Sequence, residues 1–284
     1  MISKNSLKAL LATSLLTSLV ACAPKSAPKS ELGVSTSSAS IIGGEKVLST
    51  DQIAKSTVAL IGMVKNTKDE VSQFICTGTL IAKNIILTAA HCIPQINEEN
   101  VQAGMFAVFA QDLHKAKQTD VRHIIDVEIH EDWGKENESG LDTNDIALVK
   151  FDGAMPAGYQ LGKFLADEKL LKDGATVTLA GYGLIKTDGV NTESDETLRK
   201  VDVEVLERIG NTEVLLDQNK GKGACHGDSG GPAFLKINGI EYVWGVTSRG
   251  FNEEGIDNCT GYSIYTEVAK HATFIKEGLA KLSN

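Results

Sequence analysis

The sequence predicts an all-β body followed by one C-terminal helix. Two observations carry that expectation. From residue 41 onward, short apolar runs rich in β-branched residues recur, each with Gly, Asn or Asp nearby. Glycine is also abundant, 27 of 284 residues, which supplies many tight turns. The runs are Thr57–Val64, Phe74–Ile81, Ile85–Thr88, Met105–Ala110, Ile124–Ile129, Ile146–Phe151, Thr176–Ala180, Tyr242–Thr247 and Ser263–Thr266. Such a pattern suits a barrel or a sandwich. The helix is expected over Glu267–Leu282, because Val268, Ala272, Ile275 and Leu279 fall on one face, with Thr266 as its N-cap.

Composition sets outer bounds. With 42% hydrophobic and 23% charged residues, the chain is of globular type rather than disordered. Its net charge of −9 gives an acidic surface that repels phosphate backbones, so no nucleic-acid partner is expected. No apolar run is long enough to cross a bilayer as a helix.

Residues 1–21 read as a signal peptide: Lys4 and Lys8 precede a short apolar stretch from Leu10 to Ala21. The run ends Leu19-Val20-Ala21-Cys22, which resembles the lipobox of bacterial lipoproteins, with Cys22 as the lipidated residue. Residues 22–40 then form a linker rich in Ala, Pro, Ser and Thr, too polar to build a core. Residues 1–40 hold four Lys and one Glu. Of the chain's 28 basic and 37 acidic residues, 24 and 36 therefore remain in residues 41–284, a net of −12. That shift marks a domain boundary near residue 40. The expected location is outside the cytoplasm, as a lipoprotein facing the periplasm or cell surface, with release into the medium on processing.

Five cysteines are present: Cys22, Cys76, Cys92, Cys225 and Cys259. Lipidation of Cys22 leaves four, which an oxidising compartment would pair in one of three ways. A zinc site is the rival reading, but neither C-x-x-C nor H-E-x-x-H occurs, so no metal is expected. The acidic residues Glu98, Glu99 and Asp112 are read as solvated loop residues rather than a calcium site.

Three strings carry chemistry. In Gly227-Asp228-Ser229-Gly230-Gly231-Pro232, a glycine turn exposes a serine hydroxyl beside backbone N–H groups able to converge on an oxyanion. In Thr88-Ala89-Ala90-His91-Cys92, an imidazole ends an apolar strand. Histidine titrates near neutrality and can take and return a proton. In Asp142-Thr143-Asn144-Asp145-Ile146-Ala147-Leu148, Asp145 directly precedes a buried run and can face the imidazole, whereas Asp142 does not. The other histidines, at 114, 123, 130, 226 and 271, lack such a setting.

Together these strings, in the order His, Asp, Ser, resemble the chymotrypsin/trypsin family of serine proteases. A fourth string, Ile41-Ile42-Gly43-Gly44, resembles the new N-terminus of the activated enzyme. The resemblance covers residue 41 to about 282. It implies two six-stranded antiparallel Greek-key barrels, about 41–155 and about 156–284, with a C-terminal helix in the second unit. It implies His91 as general base, Asp145 as its orienter, Ser229 as nucleophile, and the N–H groups of Gly227 and Ser229 as the oxyanion hole. It implies the disulfides Cys76–Cys92 and Cys225–Cys259, and no cofactor.

The same resemblance implies a zymogen. A cut before Ile41 would free an ammonium to pair with Asp228. Ser40 stands where many relatives have Arg or Lys, so the activating protease is expected not to be trypsin-like. The primary pocket would be formed by Gly223, Gly250 and Ser263, with Ser248, Arg249 and Gly250 pairing with the substrate backbone. No carboxylate stands at Gly223, so a large apolar or aromatic residue is expected before the scissile bond, and Ser263 shortens the slot. Arg249 stands where relatives usually carry Trp. Glu253, Glu254 and Asp257 lie in a long loop near the pocket. The expected partners are protein or peptide substrates, acting on a monomer. The main rival is a non-catalytic homologue serving as a binding module. An esterase is disfavoured, because there the His follows the Ser.

Overall fold

In this computed structural model, residues 41–97, 99–251 and 259–283 are described. The signal peptide, Cys22, the linker and Ser40 lie outside the described residues, as do Glu98, Glu253, Glu254 and Asp257.

The first barrel uses β1 (Thr57–Asn66), β2 (Val71–Ala82), β3 (Ile85–Thr88), β4 (Asn100–Val108), β5 (Val121–Ile129) and β6 (Ala147–Phe151). Neighbours pair in the order β1-β2-β3-β6-β5-β4, and β4 closes back onto β1. The second uses β7 (Thr176–Gly181), β8 (Arg199–Ile209), β9 (Glu213–Asp217), β10 (Pro232–Ile237), β11 (Ile240–Phe251) and β12 (Tyr262–Glu267). Its order is β7-β8-β9-β12-β11-β10, with β10 returning to β7. All these pairings are antiparallel, so each sheet closes and leaves no free edge in the ring. Short strands at Glu45–Lys46 and Lys163–Phe164 lie against β8 and β11.

Local chemistry explains several joints. β10 turns into β11 through Asn238 (φ 50°) and Gly239 (φ 79°), with Ile237 paired to Ile240. Both central residues need positive φ, which is the two-residue hairpin turn matched to strand twist. Along β8, Val201, Val203 and Val205 are buried while Asp202 and Glu204 are exposed. That alternation was overlaid by charged residues, and β8, β9 and β10 have no counterpart among the runs picked out from the sequence.

The first barrel's core includes Leu60, Leu80, Ile86, Leu87, Leu148 and Phe151, all fully buried. The second packs Val214, Leu216, Trp244 and Tyr265, and Ile41 joins it with no exposed surface. The helix begins later than expected. A 3-10 turn occupies Val268–His271 and the α-helix runs Ala272–Leu282. Thr266 is therefore not an N-cap: it lies within β12, and its hydroxyl donates to Asp145 O at 3.1 Å. Ala272 is exposed, and Ile275, Gly278 and Leu282 make the inward stripe. Gly278 faces Leu148, so this helix of the second half closes over the first barrel. Leu148→Ala should cost about 2–5 kcal/mol, measured as a lower denaturant midpoint at unchanged slope.

Candidate active site

His91 sits in a single turn of 3-10 helix, Ala90–Cys92, directly after β3. The disulfide Cys76–Cys92 ties this turn to β2, while Cys225–Cys259 ties the serine loop to the segment before β12. Both pairs are those implied by the resemblance. The cysteine–histidine groups Cys76, His91, Cys92 and Cys225, His226, Cys259 each contain such a bond, so their sulfurs are not free thiolates for a metal.

Asp145 is 4% exposed and lies just before β6. Its Oδ2 is 2.7 Å from His91 Nδ1, and its Oδ1 accepts the His91 backbone N–H at 3.0 Å. Ser248 Oγ donates to the same Oδ2 at 2.7 Å. Burial alone pushes the Asp145 carboxyl up, but the bonds from His91 and Ser248 outweigh it and hold the group below its ordinary range. A carboxylate facing Nδ1 fixes the ring N–H there and leaves Nε2 with a lone pair.

The Ser229 turn meets this pair through backbone contacts. Ser229 O accepts the Thr77 N–H at 2.8 Å, and Thr77 Oγ1 donates to Gly227 O at 2.9 Å. Cys92 Sγ lies 3.5 Å from Ser229 O and 3.9 Å from His91 Nε2, so one sulfur touches both segments. Gly230 (φ +77°) allows this approach. A Cβ there would stand 2.5 Å from Thr77 O and 2.9 Å from Ala89 N. Ser229 itself is part-exposed. Among the described residues, neither the Gly227 nor the Ser229 N–H has a hydrogen-bond acceptor within the chain.

Asp228 is buried, and its oxygens accept N–H groups from Gly183 (2.8 Å) and Cys225 (2.9 Å). No ion pair reaches it among the described residues, and burial raises its carboxyl to about 7. Ile41 is buried in the second barrel's core. The next residue, Ile42, bridges to Gly223 and accepts its N–H at 3.0 Å.

Several contributors were missed by sequence reasoning. Ser248 was read only as a residue pairing with substrate backbone. The β11–β12 register shifts between Thr247 and Arg249, and this bulge places Ser248 against Asp145. Arg249, read as pairing with substrate backbone at a position where relatives usually carry Trp, forms a two-pronged ion pair with Glu213 at 2.8 and 2.9 Å. Glu213 also accepts from Thr143 N and Oγ1, and burial, which would raise its carboxyl, is outweighed by Arg249 and Thr143. Asp142, set aside as catalytic, anchors the same loop by accepting N–H groups of Asn211 (2.6 Å) and Thr212 (2.8 Å). No spacing rule marks these partners, because each lies far away in the chain.

Of the residues expected in the pocket, Gly250 pairs with Ser263 across β11 and β12, and Gly223 lies against the buried side chain of Gln218. Arg249→Met should leave Glu213 buried without its cation and cost about 3–5 kcal/mol. Adding Glu213→Met should recover most of that loss in a thermal melt.

The comparisons with known proteins agree with this geometry. A family model described as Trypsin matches residues 41–275. Human chymotrypsin-like elastase family member 1 is 27% identical over 216 residues, covering 72% of this chain and 81% of its own length. Brachyurin of Leptuca pugilator is 30% identical over 192 residues, 63% of this chain and 76% of its own. Chymotrypsin of Phaedon cochleariae is 31% identical over 191 residues, 63% of this chain and 64% of its own. With two closed barrels, a histidine–aspartate pair at their junction and a family model spanning nearly the whole body, the chain belongs to the trypsin family of serine proteases.

Proposed function

We propose that the protein is a serine endopeptidase working through an acyl-enzyme, with His91, Asp145 and Ser229 as its triad. The observation that carries this reading is the 2.7 Å bond from His91 Nδ1 to a buried Asp145 carboxylate. It leaves Nε2 free to take the Ser229 proton as the hydroxyl attacks the scissile carbonyl. The same nitrogen then protonates the leaving amine, and a water repeats the sequence to release the acid. Asp145 stabilises the imidazolium formed in each half. The N–H groups of Gly227 and Ser229 take the oxyanion. A fluorophosphonate should label Ser229 in the processed protein and not in Ser229→Ala, and labelling unaffected by that substitution would remove the assignment. In well-characterised triads of this family, the Asp-to-Asn change lowers kcat about 10⁴-fold, and Asp145→Asn should behave alike.

The rival reading, a non-catalytic binding module, is disfavoured by the intact His–Asp pair and by the free N–H groups beside Ser229. Ser248, Arg249 and Gly250 would pair with substrate backbone, and Gly223, Gly250 and Ser263 would form a neutral pocket for an apolar or aromatic side chain. The substrates are proteins or peptides, and the working unit is a monomer.

The protein is made as a zymogen cut before Ile41. Ile41 is β-branched yet has φ +51°, a strained conformation that hydrolysis of the preceding peptide releases. The new ammonium would pair with Asp228, which among the described residues has two N–H donors, from Gly183 and Cys225. The two disulfides fit an oxidising, extracytoplasmic setting. A lipid on Cys22 would hold the precursor at a membrane, and the activating cut would release the enzyme. Sequencing the N-terminus of native active protein tests this: Ile41 is expected first, and a retained Cys22 would refute it.

The sign of the pH dependence follows from Asp228. In the uncut chain its pKa, about 7, lies above the ordinary value of 3.8, so the folded state holds the proton longer. Stability of the precursor should therefore fall as pH rises from about 4 toward 7. In an uncut Ser229→Ala background, Asp228→Asn should flatten that fall in a denaturant titration.

A further inference from the structure

One end of the second barrel is closed by residues that strand register places on a common face. Ser263 of β12 pairs with Leu216 of β9 on one side and with Gly250 of β11 on the other. Gln218 lies two residues beyond Leu216 and donates its N–H to Gly261 O at 2.8 Å, so it shares the inner face with Leu216. Its side chain is buried, the residue being 1% exposed.

The Gln218 carboxamide is held on three sides. Nε2 donates to Ala224 O and Cys259 O, each at 3.2 Å, and Oε1 accepts the Ala224 N–H at 2.6 Å. It also fills the space that a side chain at position 223 would use: a Cβ built on Gly223 would collide with Cγ, Cδ and Oε1 of Gln218. Beside it, the Ser263 hydroxyl is buried and has no hydrogen-bond partner among the described residues.

We propose that Gln218 is the floor of the primary specificity pocket, standing in for the side chain absent at Gly223, and that it selects Leu or Met before the scissile bond over Phe, Tyr and Trp. This deepens, and rests on, the serine-endopeptidase reading above. Three physical points carry it. The carboxamide is neutral, so it offers no counter-charge to Arg or Lys. Both its N–H groups are taken by carbonyls, so an apolar tip can dock on it without stripping a donor of its partner. Its atoms occupy depth that an aromatic ring would need, and a filled, hydrogen-bonded floor does not yield easily. The unpartnered Ser263 hydroxyl further favours Met, whose thioether is a weak acceptor.

The test compares kcat/KM for peptides that differ only in the residue before the cut. Aliquots of processed wild-type protein, Gln218→Ala and Gln218→Met are first titrated with a fluorophosphonate, and the unlabelled remainder is assayed at matched concentrations of reactive Ser229. The wild type should prefer Met and Leu to Phe by about 10-fold. Gln218→Ala should raise the Phe-to-Leu ratio about 10-fold, and Gln218→Met, which keeps the volume, should retain the original ranking. A wild type that prefers Phe or Tyr overturns the proposal, even if the alanine variant does not fold. So does a uniform loss across all peptides at constant ratio, the mark of a merely structural role. If wild-type Ser229 does not react with the probe, the endopeptidase reading itself fails, an outcome distinct from a labelled enzyme with the wrong ranking.

Discussion

The structure depends on keeping one carboxylate ionised where water is nearly excluded. Asp145 lies at the junction of the two barrels, and a charge so placed is costly unless it is hydrogen-bonded. Its partners come from both sides. The ring and backbone N–H of His91 belong to the first barrel, while the Ser248 hydroxyl belongs to the second, from which the Thr266 hydroxyl also holds the Asp145 backbone carbonyl. Separating the barrels would strip the carboxylate of its Ser248 donor and leave it only the two bonds from His91. Barrel docking and the orientation of the imidazole are thus the same event.

The segment leading to Asp145 is secured residue by residue. Asp142 accepts from Asn211 and Thr212, and Thr143 donates to Glu213. Asn144 Oδ1 faces the buried His271 ring at 3.2 Å, and Asp145 then meets Ser248. Asp142 and Asn144 both adopt positive φ, which their short polar side chains tolerate better than most. The alternation turns successive side chains toward different parts of the second half. Burial disfavours a charged His271, and its coupling to Asn144 extends the network to the start of the C-terminal helix.

Two buried carboxylates show opposite solutions to one problem. Asp145 is held below the usual range by bonds that need its charge. Asp228 has two backbone donors and no ion-pair partner among the described residues, so desolvation dominates and raises its carboxyl to about 7. Gly181 and Gly183 crowd it from one side, where any side chain would collide with its carboxyl group. The space around Asp228 is therefore small, and a compact ammonium suits it. In the proposed cycle this local deficit is what makes the molecule responsive to a cut more than a hundred residues away in sequence.

The sequence by itself determined the all-β class and singled out the strings around His91, Asp145 and Ser229, because strand alternation, turn glycines and the Gly227–Pro232 string are local patterns. It also favoured Asp145 over Asp142, since only Asp145 abuts the buried run. Local pattern misplaced Thr266, which reads as a helix cap but spends its hydroxyl on Asp145 O. It also passed over β8, whose alternating valines are interleaved with charges. Tertiary structure alone decided the partners: Ser248 on Asp145, Glu213 on Arg249, and Gln218 under Gly223. The first crosses the junction of the two barrels through the Ser248 bulge, the second spans β12 from β9 to β11, and the third folds the loop after β9 back on itself. Those are properties of how sheets close in space, and no neighbouring residue in the chain encodes them.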